Sequence, residues 1–167
     1  HTMVEEHTPH GIGNHAVILT DCDEELESKF RDLLESLHFT GFSNFDIKYD
    51  RRDGKYKFFE INVRLGRSNF YVTGSGFNTV KWIVDDYIYH NLPEYTVADN
   101  INLYTVVPKG VILKYVSDED LKKQAKALFK AGKVSFPLLY DADKNVKHNF
   151  YARAALLNQY RKFYKYF

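Results

Sequence analysis

The sequence contains a single cysteine, Cys22, among its 167 residues. One thiol cannot build a disulfide framework or a zinc site made of several thiolates, so both are excluded within one chain. No apolar run approaches the roughly 20 residues that a membrane-spanning helix needs. The N-terminus also lacks the pattern of a secretory signal peptide. We therefore expect a cytoplasmic protein with no membrane partner.

The chain also lacks an excess of either charge. It has 23 basic and 22 acidic side chains, which gives a net charge of +1. Because nucleic-acid-binding proteins usually carry a clear basic excess, we expect no nucleic-acid partner. Apolar residues are abundant instead, at 44% of the chain, with aromatic residues at 16%. This composition is sufficient for a folded core.

Helical and strand-like patterns are mixed along the chain. Amphipathic spacing predicts helices from Asp21 or Asp23 to Gly41, at 80–88, from Ser117 to Gly132 and at 150–164. Strands are predicted at 15–20, 42–49, 55–62, 101–107, 111–116 and 134–140, and loops at 8–14 and 66–76. Regular βαβ alternation is missing, so we predict an α+β fold, an antiparallel sheet with flanking helices. We divide the chain into residues 4–92 and an α/β extension or subdomain, residues 93–167.

A predicted β-hairpin carries the chemically most informative side chains. Its turn, residues 50–54, ends in Asp-Gly, a strong hairpin signal. Glu60 and Asn62 are two residues apart on the second strand, so they share one face. A five-residue loop would pair Asp46 of the first strand with Phe58, which places Asp46 diagonal to Glu60. That separation is within reach of a shared ion.

Two interpretations of this polar face remain open from the residues alone. Two carboxylates and an amide oxygen suit Mg²⁺, and a cation would offset the repulsion between Asp46 and Glu60. Alternatively, the face is the exposed side of an edge hairpin, where Lys48 or Lys57 neutralises the acids. Arg64 follows two residues after Asn62 and offers a planar fork for phosphate or carboxylate oxygens.

The segment FDIKYDRRDGKYKFFEINVR resembles the metal-binding hairpin of the ATP-grasp superfamily. The shared pattern is an acidic residue on one strand, a turn, and Glu-x-Asn-x-Arg on the next strand. The helix before it and residues 70–89 after it extend the similarity over roughly residues 16–89. Val63 departs from the pattern, because many relatives have proline there. The most similar groups are carboxylate–amine ligases of the carbamoyl-phosphate-synthase-like and D-aspartate-ligase-like types.

The resemblance implies a role for each residue of the motif. Asp46 and Glu60 would bind Mg²⁺, and Asn62 would bind a second Mg²⁺ together with Glu60. Arg64 would be the catalytic residue, in contact with the γ-phosphate or an acyl phosphate. Arg67 and Ser68 either meet a substrate carboxylate or close the loop. With Arg64 they are the predicted cofactor-binding residues.

By the same resemblance, the cofactors are ATP and magnesium. The reaction joins a small-molecule carboxylate to an amine through an acyl phosphate and forms an amide bond. Residues 4–92 would be the C-terminal lobe of an ATP-grasp domain. The family holds its nucleotide between two lobes, and residues 1–8 leave no room for the other. We therefore expect a partner, the N-terminal nucleotide-binding lobe of the same protein, without which the chain is inactive. The alternative is a non-catalytic binding module that retains the hairpin.

Overall fold

The computed structural model describes residues 2–9, 11–19, 23–92, 94–139 and 142–167. The chain divides into two compact units. The smaller is Cys22–Asn69, and the larger combines His1–Asp21 with Phe70–Phe167. This division does not test the predicted boundary between residues 92 and 93, which stays a prediction.

The described residues form six strands and six helices. The strands are β1 (Thr2–Thr8), β2 (Gly11–Leu19), β3 (Asn44–Asp50), β4 (Lys55–Asn62), β5 (Asn102–Thr105) and β6 (Val134–Ser135). The helices are α1 (Glu24–Ser36), α2 (Phe70–Gly74), α3 (Thr79–Tyr87), α4 (Lys109–Tyr115), α5 (Glu119–Ala131) and α6 (Val146–Tyr166). The predicted α+β class is confirmed.

The larger unit is built on a four-stranded sheet with the order β1-β2-β5-β6. β2 pairs antiparallel with both β1 and β5, whereas β5 and β6 are parallel. The sheet is therefore mixed, and the prediction of a purely antiparallel sheet is wrong. The connection between β5 and β6 explains the difference. It contains α4 and α5, which return the chain to the start of the sheet, so β6 runs in the same direction as β5. Parallel neighbours need such a crossover.

The predicted loop at residues 8–14 is too long, because β1 reaches Thr8 and the antiparallel β2 begins at Gly11, while His10 lies outside the described residues. The glycines that indicated a loop lie in β2. A Cβ atom at Gly13 would lie only 2.6 Å from Oε2 of Glu6, a residue of β1 that is 1% exposed. Gly13 thus gives the buried carboxylate its space. Thr20, the last residue of the strand predicted at 15–20, lies outside the described residues.

The strand predicted at residues 111–116 is also wrong, since this segment lies mostly in α4. The carbonyl of Pro108 accepts hydrogen bonds from the backbone N–H groups of Val111 and Ile112, at 3.0 and 3.2 Å. Both side chains are fully buried. A short apolar run of β-branched residues fits either a buried strand or a buried helix, so its periodicity does not decide between them.

Two more boundaries differ from the prediction. The predicted loop at 66–76 contains α2, which ends at Gly74. A Cβ atom there would overlap Oγ of Ser135 and Nδ2 of Asn102, so only glycine allows this close approach to the sheet. The strand predicted at 134–140 is limited to β6, and its predicted last residue, Tyr140, lies outside the described residues.

The observed helices agree better with the sequence predictions than the strands do. The side chain of Asp23 accepts a hydrogen bond from the N–H of Leu26 and caps α1, while Asp21 lies outside the described residues. α1 ends at Ser36, earlier than the predicted Gly41. Asp118 caps α5, and Gly132 ends it in the left-handed conformation, with φ of 70°. Within the described part of the chain, no helix has the length and apolar character needed to cross a bilayer.

The core of the larger unit lies between the sheet and helices α4, α5 and α6. Its buried members are Val4, Ala16, Ile18, Leu103, Val107, Val111, Ile112, Val116, Ala125, Leu128 and Phe163. Phe163 is the contribution of α6, and its ring lies 5.7 Å from that of Tyr115. Core residues of β5 and of helices α4, α5 and α6 therefore pack together with those of β1 and β2.

Replacing Phe163 with alanine tests this packing. Phe163 is 0% exposed, and the loss of a buried phenyl ring leaves a cavity. We expect the free energy of unfolding in urea to fall by about 3–5 kcal/mol. The adjacent Tyr164 is 83% exposed. Tyr164→Ala is the matched control and should change the same free energy by less than about 0.5 kcal/mol. Equal effects would contradict this placement of α6.

Candidate functional site

The smaller unit consists of α1 and the hairpin of β3 and β4. The turn is tight, because the N–H of Gly54 donates to the carbonyl of Asp50 at 2.9 Å and Gly54 has φ of 65°. Asp50 pairs with Lys55, so the loop has four residues rather than the predicted five. The register of the strands is shifted accordingly.

A second irregularity lies in β4. Ile47 pairs with Phe58, but the next residue of β3, Asp46, pairs with Glu60. Phe59 is therefore an extra residue, a β-bulge, on β4. The predicted pairing of Asp46 with Phe58 is wrong, and Asp46 lies directly opposite Glu60 instead. Because opposed residues point to the same face, the bulge separates Glu60 from Phe58, which the predicted alternation had placed on one face.

One face of the hairpin is aromatic. The ring of Phe30 from α1 stacks on Phe45 at 4.3 Å and meets Phe58 edge-on at 5.1 Å. Tyr49 and Tyr56 form an opposed pair with ring centroids 5.2 Å apart. These contacts tie α1 to the aromatic face, so the opposite face of the hairpin is the polar one.

The polar face brings together the residues predicted to bind metal. Asp46 lies opposite Glu60, and Asn44 lies opposite Asn62. Nδ2 of Asn44 donates a hydrogen bond to Oδ1 of Asp46 at 3.1 Å. The carboxylates of Asp46 and Glu60 are exposed, while the two asparagines are half-buried. The result is a patch of four oxygen-bearing side chains that we call the Asp46–Glu60 patch.

Lys48 and Lys57 share the face of this patch, but neither forms an ion pair with its carboxylates within the described residues. Nζ of Lys57 binds Oδ2 of Asp53 at 2.5 Å, and this hydrogen bond is the main cause that lowers the pKa of Asp53. Lys48 lies opposite Lys57 rather than opposite an acid. Among the described residues, neither Asp46 nor Glu60 forms an ion pair with a basic side chain within 4.0 Å. Like charges that face each other across two strands destabilise a hairpin, so this arrangement favours a bound cation.

The donor set fits magnesium better than a transition metal. Mg²⁺ is typically held by one or two carboxylates, keeps several waters and takes its other oxygens from phosphates. The Asp46–Glu60 patch offers two carboxylates and amide oxygens, and it is open to solvent. In the ranges that the structure describes, no three His, Cys, Asp or Glu side chains converge as a metal site.

The predicted phosphate-binding residues follow directly after β4. Arg64 is exposed, and its Nη1 donates to the carbonyl of Leu65 at 3.2 Å. Arg67 is exposed and Ser68 is half-buried. A turn closes this segment, since the N–H of Asn69 donates to the carbonyl of Gly66 at 3.3 Å. The structure thus places Arg64, Arg67 and Ser68 in the same unit as the patch, and their roles stay predictions.

Sequence reasoning missed Asn44 as a member of the site. The signal was present, because Asn44 and Asp46 are two residues apart on one strand and must share a face. The partner pair on β4, Glu60 and Asn62, has the same spacing. Two such pairs on opposed strands form a four-residue patch once the register is known.

The chain is 36% identical to a D-aspartate ligase from Enterococcus faecium (strain Aus0004). The alignment of 172 positions covers the whole chain and 41% of that protein, so the chain spans about two fifths of the relative's length. The predicted resemblance to ligases of this group is confirmed. No family model matches the chain. No solved structure matches it either, so the likeness to an ATP-grasp lobe stays a prediction about the fold.

The turn of the hairpin allows a test of its geometry. Nε and Nη2 of Arg52 donate to the carboxylate of Asp50, at 2.9 and 2.7 Å, and the backbone N–H of Arg52 also donates to it, at 3.0 Å. These hydrogen bonds lower the pKa of Asp50, and the side-chain bonds from Arg52 have a larger effect than the backbone bond. Arg52→Ala should raise the pKa of Asp50 towards its ordinary value, as followed by NMR of the carboxyl carbon.

The control is Arg51→Ala, which removes the neighbouring exposed guanidinium and should leave the pKa of Asp50 unchanged. A carboxylate with a lowered folded pKa stabilises the fold at pH above its unfolded pKa. That stability is lost as the pH falls through the folded pKa. The free energy of unfolding of wild type should therefore exceed that of Arg52→Ala only at pH values above the unfolded pKa of Asp50. An unchanged Asp50 pKa in Arg52→Ala would contradict the pairing.

Proposed function

We propose that this chain carries the cation- and phosphate-binding hairpin of an ATP- and magnesium-dependent ligase that forms an amide bond from a carboxylate and an amine. The observation that carries the proposal is the direct opposition of Asp46 and Glu60 on one solvent-facing side of the hairpin. The 36% identity to a D-aspartate ligase supports the reaction class.

Asp46 and Glu60 would hold one magnesium ion, and Asn62 would add its amide oxygen to a second ion shared with Glu60. The chemistry supplied by bound magnesium would be neutralisation of the negative charge on phosphate oxygens during transfer. The patch keeps both carboxylates exposed, so ion and nucleotide phosphates have access from solvent. On the opposite face of the hairpin, Phe30 of α1 contacts Phe45 of β3 and Phe58 of β4 and so holds the two strands together.

Arg64 would stabilise the phosphoryl group as it passes from ATP to the substrate carboxylate. Its guanidinium donates one hydrogen bond, to the carbonyl of Leu65, which leaves further N–H groups of its planar fork for phosphate oxygens. Arg67 and Ser68 would bind the nucleotide phosphates or a substrate carboxylate from the same segment. The amine then attacks the acyl phosphate, and the amide forms as phosphate leaves.

The name of the relative makes D-aspartate the first substrate to test. D-Aspartate contains two carboxylates and an amine, so it could serve either as the carboxylate substrate or as the amine substrate. We further propose that catalysis needs a nucleotide-binding lobe of the same protein, since the chain matches 41% of its relative. The reaction would take place in the cytoplasm, without a nucleic-acid or membrane partner. The substrates would be small molecules.

The test is Glu60→Gln in the protein that contains this chain together with its nucleotide-binding lobe. The change keeps the shape of the side chain but removes the charge that faces Asp46. We expect the rate of ADP release with ATP, Mg²⁺, D-aspartate and an acceptor amine to fall about 100-fold, the typical effect of losing one preorganised electrostatic contact. The Mg²⁺ concentration needed for half-maximal rate should rise. Glu94→Gln, at an exposed position in the larger unit, is the matched control.

Arg64→Ala separates phosphate contact from metal binding. The rate constant for ADP release should fall about 100-fold, because the barrier rises by ~3 kcal/mol. The Mg²⁺ concentration for half-maximal rate should stay within about threefold of wild type, because Arg64 is not a ligand. Activity of Glu60→Gln within about threefold of wild type would overturn the assignment. Binding of magnesium and nucleotide without any ADP release in wild type would favour the non-catalytic module.

A further inference from the structure

Asn44 occupies a position in the Asp46–Glu60 patch to which the ligase motif gives no role. It begins β3, lies directly opposite Asn62 and is half-buried. Its side chain forms a defined contact, because Nδ2 donates to Oδ1 of Asp46 at 3.1 Å. A residue that touches a proposed ligand from the neighbouring same-face position is well placed to act through that ligand.

The direction of this hydrogen bond follows from the chemistry of the partners. An ionised carboxylate only accepts hydrogen bonds, so the amide of Asn44 must turn its NH₂ group, not its oxygen, towards Asp46. The bond restricts rotation of the carboxylate about its Cβ–Cγ bond. Asp46 has no ion-pair partner among the described residues, so the amide of Asn44 is the polar side chain in contact with this carboxylate there.

The segment after β4 passes near the side chain of Asn44 at Gly66. A Cβ atom at Gly66 would lie 3.5 Å from both Cγ and Oδ1 of Asn44 and 2.8 Å from Oδ1 of Asn69. That Asn69 oxygen is buried and accepts no hydrogen bond within the described part of the chain. A side chain at position 66 would therefore be in van der Waals contact with the Asn44 amide and would collide with Asn69, so Gly66 keeps the space beside Asn44 open.

We propose that Asn44 is a positioning residue of the cation site, which fixes the Asp46 carboxylate in the orientation that binds the ion. The inference rests on the proposed function of the patch. Asn44 does not touch the cation in this role. It acts as the outer partner of a ligand, and the loss of such partners typically lowers metal affinity 10–100-fold.

The test uses the ¹⁵N-labelled 167-residue chain and the metal alone, so it does not depend on catalysis. Mg²⁺ is titrated while amide chemical shifts are recorded, and Mn²⁺ is added in trace amounts to broaden signals near the ion. In wild type we expect broadening confined to the residues around Asp46, Glu60 and Asn62. The side-chain NH₂ signal of Asn44 should shift when Asp46 is replaced with alanine.

Two substitutions at one position separate the hydrogen bond from the shape of the side chain. Asn44→Leu keeps a similar volume but has no N–H donor, and we expect its Kd for Mg²⁺ to rise about tenfold. Asn44→Gln retains the amide donor and should stay within about threefold of wild type. Asn91→Ala, an exposed asparagine of the larger unit, is the control and should not change the Kd.

Contacts between the rings of Phe45 and Phe58, followed by NOEs, report whether each variant keeps the hairpin intact. An Asn44→Leu chain with an intact hairpin and the Kd of wild type would overturn the positioning role and leave the proposed site standing. Absence of any localised Mg²⁺ or Mn²⁺ response in wild type would overturn the site itself, and the role of Asn44 with it.

Discussion

The β-bulge at Phe59 is the feature on which the candidate site depends. β4 pairs with β3 in one register from Lys55 to Phe58 and in another from Glu60 to Asn62. If the first register continued, Glu60 would lie opposite Phe45 on the aromatic face. The extra residue moves Glu60 to the other face, where it meets Asp46. Bulges commonly redirect side chains at sites in this way.

The same bulge lets one short hairpin carry two different surfaces. Phe45 stacks on Phe30 of α1 and Phe58 meets it edge-on, so aromatic contacts link both strands to the helix. The polar side then presents two facing carboxylates that form no ion pair with a basic side chain among the described residues. Such a pair lowers stability unless a cation is bound, and we regard this cost as a reason to connect the patch with function rather than with folding.

The larger unit shows how far local sequence patterns reach. The caps of α5 at Asp118 and Gly132 follow from side-chain and backbone chemistry within a few residues, and the prediction there is confirmed. The strand prediction for residues 111–116 is wrong because a short apolar run fits a buried strand and a buried helix equally well. In the predicted loop at 8–14, Gly13 is not a turn residue. It lies in β2, where the absence of a side chain leaves space for Glu6 on the neighbouring strand.

The sequence by itself determined the α+β class, the hairpin at residues 44–62 and the residue types of the candidate site, as well as the resemblance to ligases. These features depend on periodicity, on turn residues such as Gly54 and on a motif of fixed spacing, all of which are local. Only the tertiary structure decided that Asp46 faces Glu60, that Asn44 joins them and that β6 is parallel to β5. Register and strand direction depend on an unpaired residue, Phe59, and on the path of distant helices, and side-chain periodicity carries no information about either.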